Sequence, residues 1–207
     1  MIIPHEQIKV IVFDFDGTLV DSNKIKKDAF FELFEEEKGK KSIIEKVLDE
    51  YGEESRYLII KKILETDGDS SKNKTADEKF IRDCAEKYNA MVIEKVKTCN
   101  EKPYASELLN LLHKKYNLYL SSTTPENPLK EMVWFRNWNK YFKDIFGYPQ
   151  KKVDSIKKIM KIEKVNSENI LVVGDGISDK ECAYRWNCFF YHVKINSDLY
   201  NLLNIFK

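Results

Sequence analysis

No apolar run in the 207 residues approaches the roughly 20 that would carry a helix across a bilayer. Glycine (7) and proline (5) are scarce, which excludes collagen-like and low-complexity chains. Net charge is nearly absent, with Lys+Arg 35 against Asp+Glu 34, so no positive excess exists to hold nucleic acid or a membrane surface. The four cysteines, Cys84, Cys99, Cys182 and Cys188, form no CxxC pair, and His5, His113 and His192 are scattered. Neither a disulfide framework nor a zinc site is expected from them; buried free thiols in a reducing cytoplasm are. The opening MIIPHEQIKVIVF lacks a basic start followed by an apolar stretch and a small-residue cleavage site, so no secretion signal is read and the expected location is cytoplasmic. What the chain does have is an apolar fraction of 43%, enough for a core and against disorder. At about 150 residues per domain, the length suits one domain carrying an insert.

Ile8 to Phe13 reads IKVIVF, a short run rich in β-branched residues, as expected of a strand buried on both faces of a parallel sheet. Two later runs are alike: Leu118 to Leu120, leading into SSTT, and Ile170 to Val173, leading into GDG. Each follows a helical pattern, PYASELLNLLHKKY and VDSIKKIMKIEKV. A fourth short strand is read at Phe189 to Val193, after the helix GISDKECAYRW. This alternation predicts an α/β fold, a Rossmann-like three-layer core with a parallel sheet and right-handed crossovers. The aromatic cluster Trp134 to Trp138 with Tyr141, Phe142 and Phe146 has helical spacing and is read as core packing rather than a platform for stacking bases.

From Ser22 to about Thr98 only helical patterns occur. Phe30, Leu33 and Phe34 mark a first helix; Ile43, Ile44, Val47, Leu48 and Tyr51 mark a second, closed by Gly52. Ser42-Ile-Ile-Glu45 and Thr75-Ala-Asp-Glu78 fit capping boxes. A third helix is expected over Tyr57 to Leu64 and a fourth from Asp77 to Lys97, with the polar stretch Thr66 to Lys74 as a loop. The abundant Lys and Glu here are read as solvated helix faces.

In a parallel α/β sheet, chemistry gathers at the carboxyl ends of the strands. Three such ends carry acids or hydroxyls: Asp14-Phe-Asp16-Gly-Thr18, Ser121-Ser-Thr-Thr124, and Gly174-Asp175-Gly176 with Asp179 further on. Converging carboxylates repel one another and call for a cation, and an all-oxygen donor set favours Mg²⁺. Asp14 stands where its carboxylate can attack phosphorus. Asp16, if protonated, can give its proton to a departing alcohol and later take one from water. Gly17 permits a sharp exit from the strand, and Thr18 can orient the adjoining loop. The Ser122 hydroxyl and the Thr123 backbone N–H can hold a phosphate oxygen, with Ser121 in place of Ser122 if the register shifts by one. The same hydroxyls also suit a plain turn or helix cap.

These motifs, in this order over the whole chain, resemble the haloacid dehalogenase-like superfamily of phosphohydrolases. The resemblance rests on Asp14-Phe-Asp-Gly-Thr18-Leu-Val, on Ser122, on a lysine ahead of the third crossover helix and on Gly174-Asp175-Gly-Ile-Ser-Asp179. It implies a catalytic core of residues 1–21 and 99–207, with residues 22–98 as a helical cap that can close over the site as a lid. It implies an aspartyl-phosphate on Asp14, and Mg²⁺ held by Asp14, by the Asp16 backbone carbonyl and by Asp175. Asp179 would act through a water or by orienting the lysine. An acid at Asp16 argues for phosphomonoester hydrolysis, because relatives that cleave carbon–halogen bonds carry a non-acid there. Two lysines compete in Gly147-Tyr-Pro-Gln-Lys151-Lys152-Val-Asp154; Lys152 is chosen because in similar members the lysine sits two residues before an acid, although the usual Lys-Pro pair is missing.

The expected partner is a small phosphorylated metabolite such as a sugar phosphate or phosphoglycolate, with no nucleic acid and no membrane. Asp21, Ser22, Asn23 and Lys24 lie nearest the active edge in sequence, and Arg56 and Tyr57 are candidates to face inward from the cap. Two alternatives are a phosphomutase acting on a sugar phosphate, which would need extra cap groups not recognised here, and a phospho-acceptor signalling module, which has no use for Asp16. Oligomeric state is not read from the sequence.

Overall fold

The computed structural model describes residues 3–35, 39–52, 54–66, 77–196 and 198–207. Its α/β core is a five-stranded sheet, all parallel, in the order β3-β2-β1-β4-β5. The strands are β1 (Val10–Phe13), β2 (Asn117–Pro125), β3 (Phe142–Tyr148), β4 (Ile170–Gly174) and β5 (Phe189–His192). The VIVF run of β1 occupies the centre, in register with β2 from Val10↔Asn117 and with β4 from Val10↔Ile170. Every β1 side chain is buried, so an uninterrupted apolar run is what this position requires. Val10, Val12, Tyr119, Ile170 and Val172 share one face with Ile156 and Ile159 of α7 (Lys152–Glu163) and with Cys182 and Ala183 of α8 (Ile177–Trp186). The alternate residues Ile11, Phe13, Leu118 and Leu120 are equally sealed on the other face. The helices α5 (Ala105–Leu112) and α9 (Asp198–Phe206) pack together and bury Leu108, Leu109, Leu112, Leu199, Leu202 and Leu203. Each such side chain contributes on the order of 2 kcal/mol by leaving water.

The strand order reverses at β1: the chain winds outward through β2 and β3, then crosses to β4 on the other side. In open parallel sheets the crevice for a ligand lies beyond the carboxyl ends of the strands at such a reversal.

Several expectations need correction. Tyr141, Phe142 and Phe146 do not continue a helix from Trp138. α6 spans Glu126–Phe135, and Phe142–Tyr148 is the edge strand β3, which places Phe146 in register with Ser121. Packing of the aromatic cluster is accordingly split: Trp138 and Phe146 are buried, while Trp134 is 71% exposed. Strand β2 runs on through Ser121 to Thr124 and ends at Pro125.

The chain folds as two compact units, Met1–Ser22 with Cys99–Lys207, and Asn23–Thr98. The second holds α1 (Asn23–Leu33), α2 (Lys41–Tyr51), α3 (Arg56–Thr66) and α4 (Glu78–Thr98). Phe30 lies against Tyr88 with ring centres 4.3 Å apart, and the Tyr88 hydroxyl donates to the Lys26 carbonyl at 3.1 Å. Ser42 is not an N-cap: α2 starts at Lys41 behind Lys40, whose side chain makes no capping bond. Gly52 ends α2 in an ordinary right-handed conformation, φ −60°. The second proposed capping box, at Thr75, and most of the Thr66 to Lys74 stretch lie outside the described residues. Among the described residues no disulfide joins the four cysteines; Cys84, Cys182 and Cys188 are buried and Cys99 is half-buried.

Candidate active site

Past Phe13 the chain leaves the sheet in a tight loop. Asp14 still donates its N–H to the Val173 carbonyl at 2.9 Å, which continues the β1–β4 ladder by one rung. The Phe15 carbonyl accepts from both Leu19 and Val20, and Gly17 takes φ 74°, a value that disfavours any residue with a Cβ. Asp14, Asp16 and Thr18 are all buried in this loop. The segments around residues 20 and 101 then run antiparallel: Val20 bridges Glu101, Asp21 donates to the Asn100 carbonyl at 2.9 Å, and Lys102 pairs with Asp21 at 3.2 Å. This short ribbon fixes Ser22, which is fully buried and donates to Asp16 Oδ1 at 2.7 Å.

Lys152 opens α7 and is buried. Its Nζ lies 2.8 Å from Asp14 Oδ1 and 2.7 Å from Asp179 Oδ1, so one ammonium bridges two carboxylates. Lys151, its competitor in the sequence, is the exposed N-cap residue. Asp179, in the first turn of α8, accepts the Gly176 N–H on its other oxygen at 3.3 Å. Asp175 is half-buried and accepts the Thr18 hydroxyl at 2.9 Å. Oxygens of Asp14, Asp175 and Asp179 all lie within 4.8 Å of one another.

The electrostatics of this cluster are lopsided. Burial pushes the Asp14 carboxyl up to about 8; Lys152 pulls against that shift, while Asp179, Asp175 and Asp16 add to it. Burial also raises Asp179, opposed by Lys152. Burial alone would lower Lys152, but Asp14 and Asp179 override it and hold the ammonium above the usual lysine range. The single ammonium does not balance the carboxylates around it, and the donor atoms are all hard oxygens. A small divalent cation fits both the missing charge and the ligand type, and Mg²⁺ is the ordinary occupant of such a set.

Of the hydroxyls at the end of β2, Ser122 is buried, and its Oγ accepts the Thr124 N–H at 3.1 Å, while Thr123 is exposed. Ser121 is buried, and its Oγ has no hydrogen-bond partner among the described residues. Neither contact at the Asp16 carboxyl is foreseen in the sequence: beside Ser22, the Thr124 hydroxyl donates to Asp16 Oδ2 at 2.6 Å. Asp16 therefore receives a hydroxyl on each oxygen, one from Ser22 and one from Thr124. A hydroxyl can both donate and accept, so the same pair can serve the carboxylate and the protonated acid. Of the other candidates, Lys24 pairs with Asp28, and the Arg56 guanidinium stacks on the Tyr57 ring at 5.1 Å.

Solved structures share this fold. A candidate phosphoglycolate phosphatase from Lactobacillus plantarum superposes with a TM-score of 0.74 at 13% identity, over 96% of this chain and 99% of that one. A protein from Haemophilus somnus, predicted to be a phosphoglycolate phosphatase, gives 0.72 at 17% identity over 97% and 99%. A candidate haloacid dehalogenase-type hydrolase from Bacillus subtilis, solved bound to magnesium, gives 0.67 at 18% identity over 95% and 99%. No curated protein sequence matches the chain. Residues 11–193 match the family described as haloacid dehalogenase-like hydrolase, from the middle of β1 to just past β5. A match over so much of the chain settles its kinship: this protein is a member of the haloacid dehalogenase-like hydrolase family.

Proposed function

We propose that this hydrolase is a Mg²⁺-dependent phosphatase that cleaves a small phosphomonoester through an aspartyl-phosphate on Asp14. The observation that carries the reading is the meeting of Asp14 and Lys152 at 2.8 Å, within a cluster where oxygens of Asp14, Asp175 and Asp179 lie within 4.8 Å of one another. The phosphatase names carried by two of the similar structures agree with it.

Asp14 attacks phosphorus with a carboxylate oxygen, and the bond to the leaving alcohol breaks. Asp16 gives that alcohol its proton, and Ser22 and Thr124 keep the Asp16 carboxyl in place before and after the transfer. Asp16 then takes a proton from water as the water oxygen attacks the phosphorus of the aspartyl-phosphate, which releases inorganic phosphate and restores Asp14. Lys152, Ser122 and the Thr123 backbone N–H hold the phosphoryl oxygens, and Asp179 orients Lys152. Thr18 holds Asp175. Asp14, Asp175 and the Asp16 carbonyl would hold Mg²⁺, which when bound supplies two positive charges against the carboxylates and the phosphate. In this proposal residues 1–21 and 99–207, with Ser22 at the join, carry the chemistry, and the helical insert that follows acts as a cap that excludes water and selects the substrate. The cytoplasm is the proposed location, in keeping with cysteines that form no disulfide among the described residues.

The test is a panel of phosphorylated metabolites, sugar phosphates and phosphoglycolate among them, assayed for phosphate release with Mg²⁺ and with EDTA. Release that needs Mg²⁺ and vanishes in Asp14→Asn is the expected result. No release from any member, or release that survives Asp14→Asn, would overturn the proposal.

A further inference from the structure

His192 is the last residue of β5, and the β4–β5 register sets it opposite Gly174, the last residue of β4. Just beyond, the Val193 N–H donates to the Gly174 carbonyl at 2.9 Å, so the two strands stay paired up to the point where the acidic loop begins. The His192 ring lies beside Phe190, with centres 5.6 Å apart, and its Nε2 is 3.0 Å from the backbone carbonyl oxygen of Asp175. A carbonyl can only accept, so Nε2 carries the hydrogen.

The other end of the same peptide group is the Gly176 N–H that Asp179 Oδ2 accepts at 3.3 Å. One planar peptide thus has an imidazole on its oxygen and a site carboxylate on its hydrogen. Planarity means that fixing the C=O direction also fixes the N–H direction. A donor on the oxygen also polarises the group and strengthens its N–H as a donor. Asp175 is then held twice: at its side chain by Thr18, 2.9 Å away, and at its backbone by His192.

On the reading that the carboxylates form a cation site, we propose that His192 is a positioning residue: through the Asp175–Gly176 peptide it sets Asp175 and Asp179 in the arrangement that takes up Mg²⁺. It touches neither the cation nor the substrate. Its ring is exposed, so water competes for the bond, and the effect falls at the low end of what outer partners of metal ligands contribute.

Three variants of the full chain separate this role from plain packing. His192→Phe keeps a flat ring beside Phe190 without a donor, His192→Gln restores an N–H donor, and His192→Ala removes both. Mg²⁺ binding is measured by calorimetry at one fixed pH without substrate, alongside thermal melts and the KM for p-nitrophenyl phosphate at saturating Mg²⁺. Binding about tenfold weaker in the Phe and Ala variants, largely recovered in Gln, with KM unchanged, is the expected pattern. Mg²⁺ affinity within about twofold of wild type in His192→Phe overturns the role, as does a fall in melting temperature shared by all three variants with no change in affinity. If wild type itself takes up no Mg²⁺, the cation site fails first and this inference fails with it.

Discussion

Gly174 lacks a side chain where Asp179 needs the space: a Cβ built on Gly174 would lie 2.2 Å from the Asp179 carboxyl carbon. The Asp179 carboxylate cannot simply swing aside, because Lys152 holds one oxygen at 2.7 Å and the Gly176 N–H the other at 3.3 Å. Gly174→Ala should cost about 1–3 kcal/mol of stability through overpacking. It should also weaken Mg²⁺ binding more than a neutral surface change does. Thermal melts with and without Mg²⁺ check both effects.

Lys152 and Lys151 should behave very differently. Lys152→Met leaves Asp14 and Asp179 facing each other without their shared ammonium, and breaking a buried pair of this kind costs about 3–5 kcal/mol. Turnover should fall by about 10²–10³ as a phosphoryl-oxygen contact is lost. Lys151→Met, on the exposed N-cap, should stay within about 0.5 kcal/mol of wild type. Equal losses in the two variants would contradict the arrangement.

The proton balance of Asp14 gives a pH signature in the cation-free protein. Its carboxyl is raised from 3.8 to about 8, so between those values the folded state holds a proton that the unfolded chain has released. The stabilisation from this group is complete below about pH 4 and is lost as pH climbs through about 8. With EDTA present, melting temperature should therefore fall across this window, and Asp14→Asn should flatten the fall. Added Mg²⁺ competes with that proton, so its stabilising effect on wild type should grow with pH over the same range.

Thr124 and Ser22 are the next positions to vary. A hydroxyl bonded to a carboxylate contributes about 1.5–3 kcal/mol, so Thr124→Val should lower kcat by about 10- to 100-fold while KM moves little. Thr124→Ser should keep most of the activity. Ser22→Ala should act in the same direction through the other Asp16 oxygen. Steady-state kinetics on p-nitrophenyl phosphate at saturating Mg²⁺ distinguishes these outcomes.

How much of this was legible in the sequence depended on whether the signal was local. The VIVF run followed by Asp14-Phe-Asp16-Gly-Thr18 declares a central strand and its acidic exit, since burial on both faces leaves room for nothing but apolar residues. The edge strand β3 was hidden: FKDIFGY is solvated on its outer side, so its pattern is broken by Lys143 and Asp144, and its phenylalanines four apart imitate a helix. The partners of Asp16 were hidden for another reason. A serine or threonine near a strand end reads first as a cap or turn, and the contact between Thr124 and Asp16 joins residues 108 apart in the chain. His192 looked solitary for the same reason, because only the β4–β5 register brings it to Asp175.

The central place of β1 also shapes the order of events at the ribosome. Val10 leaves the exit tunnel well before its neighbours in the sheet, Asn117 and Ile170, which are the products of much later codons. At about 5–20 residues per second, the central strand waits on the order of 10 s for its second flank. Until then the centre of the sheet lacks one of the two ladders that the finished core gives it.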